Sequence, residues 1–94
     1  MAYELVEFRE PVPQPGQPYK GRTEAVLGTY ESEHVAIDHG RTAWRTGRGS
    51  DSTDVTWWIV RAPGEGLARW LADGGSDTEQ VLDLTTNTMV PIGH

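Results

Sequence analysis

Apolar and polar positions along this chain follow two different periods, and the switches between them divide it into elements. Tyr3 to Arg9 alternates, with Glu4, Val6 and Phe8 on one side and Tyr3, Leu5 and Glu7 on the other, which is the two-residue period of a strand. Glu24 to Tyr30 predicts a second strand, antiparallel to the first. Ser32 then offers a helix N-cap, and Glu33 puts a carboxylate in the first turn, where it suits the helix dipole. From Glu33 to about Thr46 the period is helical. Ala36, Gly40, Ala43 and Gly47 form a narrow stripe of small residues bordered by Ile37 and Trp44, and His34, Asp38, Arg41 and Arg45 lie opposite. Three more strands follow at close spacing, Asp54 to Ala62, Leu67 to Ala72 and Glu79 to Leu84, and a short segment, Met89 to Ile92, ends the pattern.

The stretch Asp54-Val-Thr-Trp-Trp-Ile-Val-Arg61 constrains the architecture most. Successive side chains of a strand point to opposite faces, so Val55, Trp57 and Ile59 fall on one face and Thr56, Trp58 and Val60 on the other. Both faces are apolar and both call for cover. Burying one Trp removes roughly 150–250 Å² from water, about 4–6 kcal/mol of gross transfer free energy. The pattern contains one helix, whose small stripe leaves room for a large ring from the sheet. A Trp of the central strand is its natural occupant. The second face then needs the Pro-rich loop, another copy of the chain or a ligand.

That loop, Glu10 to Thr23, holds four of the six prolines, Pro11, Pro13, Pro15 and Pro18, with Gly16 and Gly21 among them. It reads as a long hairpin connection of partly polyproline II character, with docking into an aromatic groove as its functional alternative. Gly47 and Gly49 stop the helix, and Gly49 to Thr53 reads as a flexible link. Pro63-Gly-Glu-Gly66 and Asp73-Gly-Gly-Ser-Asp77 are turns between strands. The resulting expectation is α+β: an antiparallel sheet of about five strands, in chain order β-β-α-β-β-β, with one helix on one face and residues 1–94 forming a single domain.

Composition narrows the partners. The 94 residues carry a formal net charge of −6 and 23% charged residues. An acidic chain is poorly suited to nonspecific nucleic-acid binding, which needs cations to displace counterions from phosphates, and equally to an anionic membrane surface. Absence of cysteine removes disulfides, thiolate catalysis and Cys-based metal sites. No apolar run is long enough to span a bilayer, and Met1 to Arg9 lacks the basic and apolar regions of a signal peptide, so the expected location is the cytoplasm. Seven arginines against one lysine, Lys20, match the amino-acid bias of a GC-rich bacterial genome.

The runs Leu27-Gly-Thr-Tyr-Glu-Ser32, Gly40-Arg-Thr-Ala-Trp44, Trp57-Trp-Ile-Val-Arg61, Leu67-Ala-Arg-Trp-Leu-Ala-Asp73 and Val81-Leu-Asp-Leu84 together resemble a family of small, uncharacterised actinobacterial proteins. The resemblance covers most of the chain after residue 24 and leaves out the Pro-rich segment and Pro91-Ile-Gly-His94. It implies a single αβ domain and brings no activity, cofactor or site residue.

Candidate chemistry is sparse. Glu31, His34, Asp38 and His39 are the best metal candidates, but His39 points about 140° from the His34/Asp38 pair on a helical wheel, so a solvated helix face is the better reading. Arg41, Arg45 and Arg48 form a basic ridge near the helix C-terminus. There they complement the dipole, and Arg41 can pair with Asp38; the functional alternative is an anion-binding patch. Neither Gly64-Glu-Gly66 nor Gly74-Gly75 opens a helix after a strand, so neither presents amides to phosphate. No Gly-x-Ser-x-Gly elbow supports triad chemistry, and the pattern calls for no cofactor. The preferred reading is a non-enzymatic interaction or regulatory module that self-associates, most simply as a homodimer, or binds a partner protein. Its surface is an aromatic sheet face with Trp57, Trp58 and Trp70 as candidates. The alternatives are a nucleic-acid accessory module, using sheet aromatics for stacking and the Arg41/Arg45/Arg48 ridge for phosphates, and a small-molecule-binding domain.

Overall fold

The computed structural model describes residues 2–12, 15–16, 18, 21–47, 55–64, 68–75 and 78–92. Six strands and one helix follow in chain order: β1 Tyr3–Glu10, β2 Thr23–Tyr30, α1 Glu33–Gly47, β3 Val55–Arg61, β4 Ala68–Asp73, β5 Glu79–Asp83 and β6 Thr88–Pro91. All strand pairs are antiparallel, in the spatial order β2-β1-β3-β4-β5-β6. The fold is the expected α+β arrangement, and the short last segment supplies a sixth strand. After β2 the chain does not return beside it. It runs through α1 to β3, on the far side of β1, so β1 is paired on both edges.

Local signals account for the boundaries. The Ser32 carbonyl accepts the first helical hydrogen bond, from the Ala36 amide at 3.0 Å. In the β5–β6 turn, Asn87 adopts a left-handed φ of 58°, which asparagine tolerates better than most residues. Its amide bonds the Asp83 carbonyl at 2.7 Å, and the Asp83 carboxylate accepts from the Thr85 amide at 2.9 Å. Asp73 plays the same part in the preceding turn, accepting from the Gly75 amide at 2.7 Å. The expected link at 49–53 lies outside the described residues, as do residues 13, 14, 17, 19 and 20 of the Pro-rich loop.

Register sorts the side chains into two faces. On the helix side one row runs Gly28, Leu5, Val60, Trp70, Val81 and Val90 across the sheet, and the next runs Ala25, Glu7, Trp58, Ala72 and Glu79. The buried core is built here from Leu5, Ala36, Trp44, Trp58, Val60, Trp70 and Ala72. Trp58 and Trp70 are 1% and 0% exposed. The small stripe of α1 lets both rings lie directly against the helix. A Cβ placed on Gly40 would stand 2.6 Å from Trp70 Cζ3, and one on Gly47 would stand 2.6 Å from Trp58 Cζ2. No real side chain tolerates that separation, so these two glycines are required by close approach.

Gly40→Leu should therefore overpack the helix–sheet interface and cost about 1–3 kcal/mol or more. Asp38→Ala, on the exposed face of the same helix, should change stability by no more than about 0.5 kcal/mol. Urea melts of the two variants check the prediction, and equal losses would contradict the packing just described.

Candidate interaction face

The opposite side of the sheet carries a second apolar set. One row runs Val26, Val6, Ile59, Leu71 and Gln80 from β2 to β5, and a neighbouring row runs Glu24, Phe8, Trp57 and Asp73. Leu82 and Met89 extend it across β5 and β6. Trp57 stacks on Phe8 with ring centroids 5.4 Å apart and planes 12° from parallel. The Arg22 guanidinium lies over the far part of this pair, 5.0 Å from the Phe8 centroid. Val6 and Phe8 are buried, Trp57, Ile59, Leu71, Leu82 and Met89 are half-buried, and Val26 and Val55 are exposed. Among the described residues, α1 is the single helix, and it packs on the other face.

A charged bridge borders this apolar band. Arg61 on β3 reaches Glu4 on β1 at 3.6 Å and Glu24 on β2 at 2.8 Å, so its side chain spans β1. Pairing with two carboxylates leaves the open face acidic at that border, which disfavours polyanions there.

The structure separates the three tryptophans proposed for the surface. Trp58 and Trp70 are not surface residues: both are enclosed beneath α1, and only Trp57 belongs to the open face. The parity that puts Trp58 opposite Trp57 was legible locally. The side on which Trp70 falls depends on the β3–β4 register, where Val60 pairs with Trp70. Sequence periodicity does not contain that register.

The arginine ridge is divided as well. Arg41 turns inward, donating from Nε at 2.8 Å and Nη2 at 2.6 Å to Glu79 Oε1. The same oxygen accepts from Trp70 Nε1 at 3.3 Å. Hydrogen bonding to Glu79 raises the Arg41 pKa above its ordinary value, against an opposing contribution from burial. Arg45 is exposed, and Arg48 lies outside the described residues. Arg41 and Arg45 are carried by α1 and therefore stand on the side of the sheet away from Trp57. A nucleic-acid strand could not stack on Trp57 and follow this ridge on one surface.

Of the metal candidates, His34 and Asp38 approach to 3.4 Å on the exposed helix face, while His39 stacks on Tyr30 with centroids 4.4 Å apart. Among the described residues no group of three or more His, Asp or Glu side chains could hold an ion.

A polar cleft of about 350 Å³ opens on the helix side near the end of α1, lined by Glu7, Arg9, Ala43, Thr46, Gly47, Thr56 and Trp58. Its carboxylate is already engaged: Glu7 accepts from Trp58 Nε1 at 3.0 Å and pairs with Arg9 at 3.3 Å. Each of the buried indoles finds an acceptor in the sheet. Trp58 uses Glu7, Trp70 uses Glu79, and Trp44 donates to the Asp73 carbonyl at 2.9 Å. Glu79 is 2% exposed and was not singled out beforehand, because a strand-initial glutamate carries no local sign of burial.

Compared with known families, curated proteins and solved structures, the chain matches none. No helix of the described residues is long and apolar enough to cross a membrane.

Removing Glu79 should be costly, because Arg41 and the Trp70 N–H lose a shared buried acceptor. Glu79→Ala should lose about 3 kcal/mol, the lower range for a broken buried pair, since Arg41 is partly solvated. Glu79→Gln should lose less, because its carbonyl still accepts from Trp70. Thermal or urea melts give the order, and a Gln variant as unstable as the Ala variant would contradict the hydrogen-bond argument.

Proposed function

We propose that this chain is a non-enzymatic interaction module of the bacterial cytoplasm, which binds a partner protein or a second copy of itself through the open sheet face. The observation that carries this reading is the group of half-buried Trp57, Ile59 and Leu71 beside the exposed Val26, on the face that α1 leaves uncovered, with the buried Phe8 stacked on Trp57 and the buried Val6 in the same row. Aromatic and branched apolar side chains presented together on a rigid sheet are what a protein partner buries at the centre of an interface. Polar groups at the border, here Glu24, Arg61 and Glu4, suit the rim. A protein partner also fits the acidic balance of the chain better than a phosphate backbone does.

Fluorescence offers a direct test. Trp44, Trp58 and Trp70 are 5%, 1% and 0% exposed, so Trp57 is the indole most open to acrylamide. Protection and a blue shift of this quenchable component should accompany association, as protein concentration rises or as a candidate partner is added. Trp57→Lys should remove the association made through this face while leaving far-UV circular dichroism unchanged, at a stability cost of about 1 kcal/mol for the lost stack. A candidate partner bound with unchanged strength by the Trp57→Lys variant would put that interface elsewhere.

A further inference from the structure

The two edges of the sheet are protected very unequally. An exposed edge offers unpaired amides and carbonyls to any strand that meets it, and proteins normally blunt such edges with short strands, proline, lysine or bulges. The β6 edge is blunted in this way: it has four residues and ends in Pro91. The β2 edge is not. Its eight residues, Thr23-Glu-Ala-Val-Leu-Gly-Thr-Tyr30, contain no proline and no lysine. Their one charge, Glu24, is taken up by Arg61 on the same sheet. Apart from Gly28 and Tyr30 every residue of β2 is exposed, including Val26 at 51% and Leu27 at 46%. Among the described residues its outer edge has no strand partner. The one irregularity is a bulge opposite Leu5 and Val6, and the extra residue there is Leu27, not a charge.

We infer that β2 pairs with β2 of a second copy, forming a two-fold dimer with a continuous twelve-stranded sheet. The strand is self-complementary in antiparallel pairing. Centred between Val26 and Leu27, the pairing places Val26 opposite Leu27 of the second copy, Ala25 opposite Gly28, Glu24 opposite Thr29 and Thr23 opposite Tyr30. Apolar residues meet at the axis, and the single acidic residue never faces its own copy, so the like-charge repulsion that usually prevents edge pairing is missing. A two-fold axis perpendicular to the sheet keeps both helices on one side. The two apolar faces then join through Val26 into one broad surface. The inference concerns the edge and stands apart from the reading of the open face.

Sedimentation equilibrium of the full chain over a wide concentration range tests it, with four variants and hydrogen exchange. The unmodified chain should show a monomer–dimer equilibrium, and amides of residues 23–30 should gain protection as the dimer fills. Ala25→Lys combined with Leu27→Lys changes two exposed positions and should abolish the dimer while keeping the monomer folded. Trp57→Lys should leave this equilibrium intact, which separates the edge from the open face. Because the chain has no cysteine, a nitroxide can be attached through a single Leu27→Cys change. It should show strong dipolar broadening in the dimer, whereas one at Leu84→Cys, in the turn after β5, should show none. A chain that remains monomeric at every concentration would overturn the proposal. So would a dimer that survives the double lysine change, or exchange protection that grows elsewhere but not in β2.

Discussion

The fold turns on the contact of two indole rings with two helix glycines. Trp70 lies against Gly40 and Trp58 against Gly47, at distances that exclude even a methyl group. Seven residues separate the two glycines, about two helical turns, so both fall on the same face of α1. The rings stand on neighbouring strands, β4 and β3, within the sheet. One face of one helix can thus cover two of the largest side chains in the chain. Without the glycines the helix would have to stand off, and the rings would be exposed along its flanks.

Placing indoles so deeply creates a demand for acceptors, and the sheet meets it with acidic side chains. Glu7, opposite Trp58 on the neighbouring strand β1, takes the Trp58 N–H, and Glu79 takes that of Trp70. A buried carboxylate needs a counter-charge, and Arg41 supplies it from the helix. The helix is therefore tied to the sheet by ring packing, by a charged hydrogen-bond pair and by the Trp44 N–H on the Asp73 carbonyl. This is why an arginine on the outward half of the helical wheel is not simply a solvated cation. Its long side chain reaches around the helix to a partner 38 residues away.

Covering one face so completely leaves the other to its own side chains. Phe8 and Trp57 stack on each other, Arg22 lies over Phe8, and Arg61 bridges Glu4 and Glu24 across β1. These contacts shield part of the apolar row but leave Val26 half exposed at the margin. The margin is also the edge strand that lacks proline and lysine, so apolar face and open edge meet along β2. The proposed binding surface and the proposed dimer contact are thus adjoining consequences of one arrangement, in which cover and protection are concentrated at the helix side and at β6.

The sequence by itself determined where the elements are and what kind they are. Alternation over Tyr3 to Arg9 and around Trp57 and Trp58, the small stripe from Ala36 to Gly47, and the glycine and proline breaks are all local. They express backbone geometry within a few residues, and the observed strands and helix follow them closely. Local alternation also separated Trp57 from Trp58. It could not say which of them the helix covers, because both faces of β3 are apolar and either could face inward. That choice, and the burial of Trp70 beside Trp58, came from the register of β3 against β1 and β4. The Glu7 and Glu79 contacts join residues 51 and 9 positions apart to the rings they serve. Only the tertiary structure decides such pairings, since they exist only once distant strands have been aligned and one face has been closed.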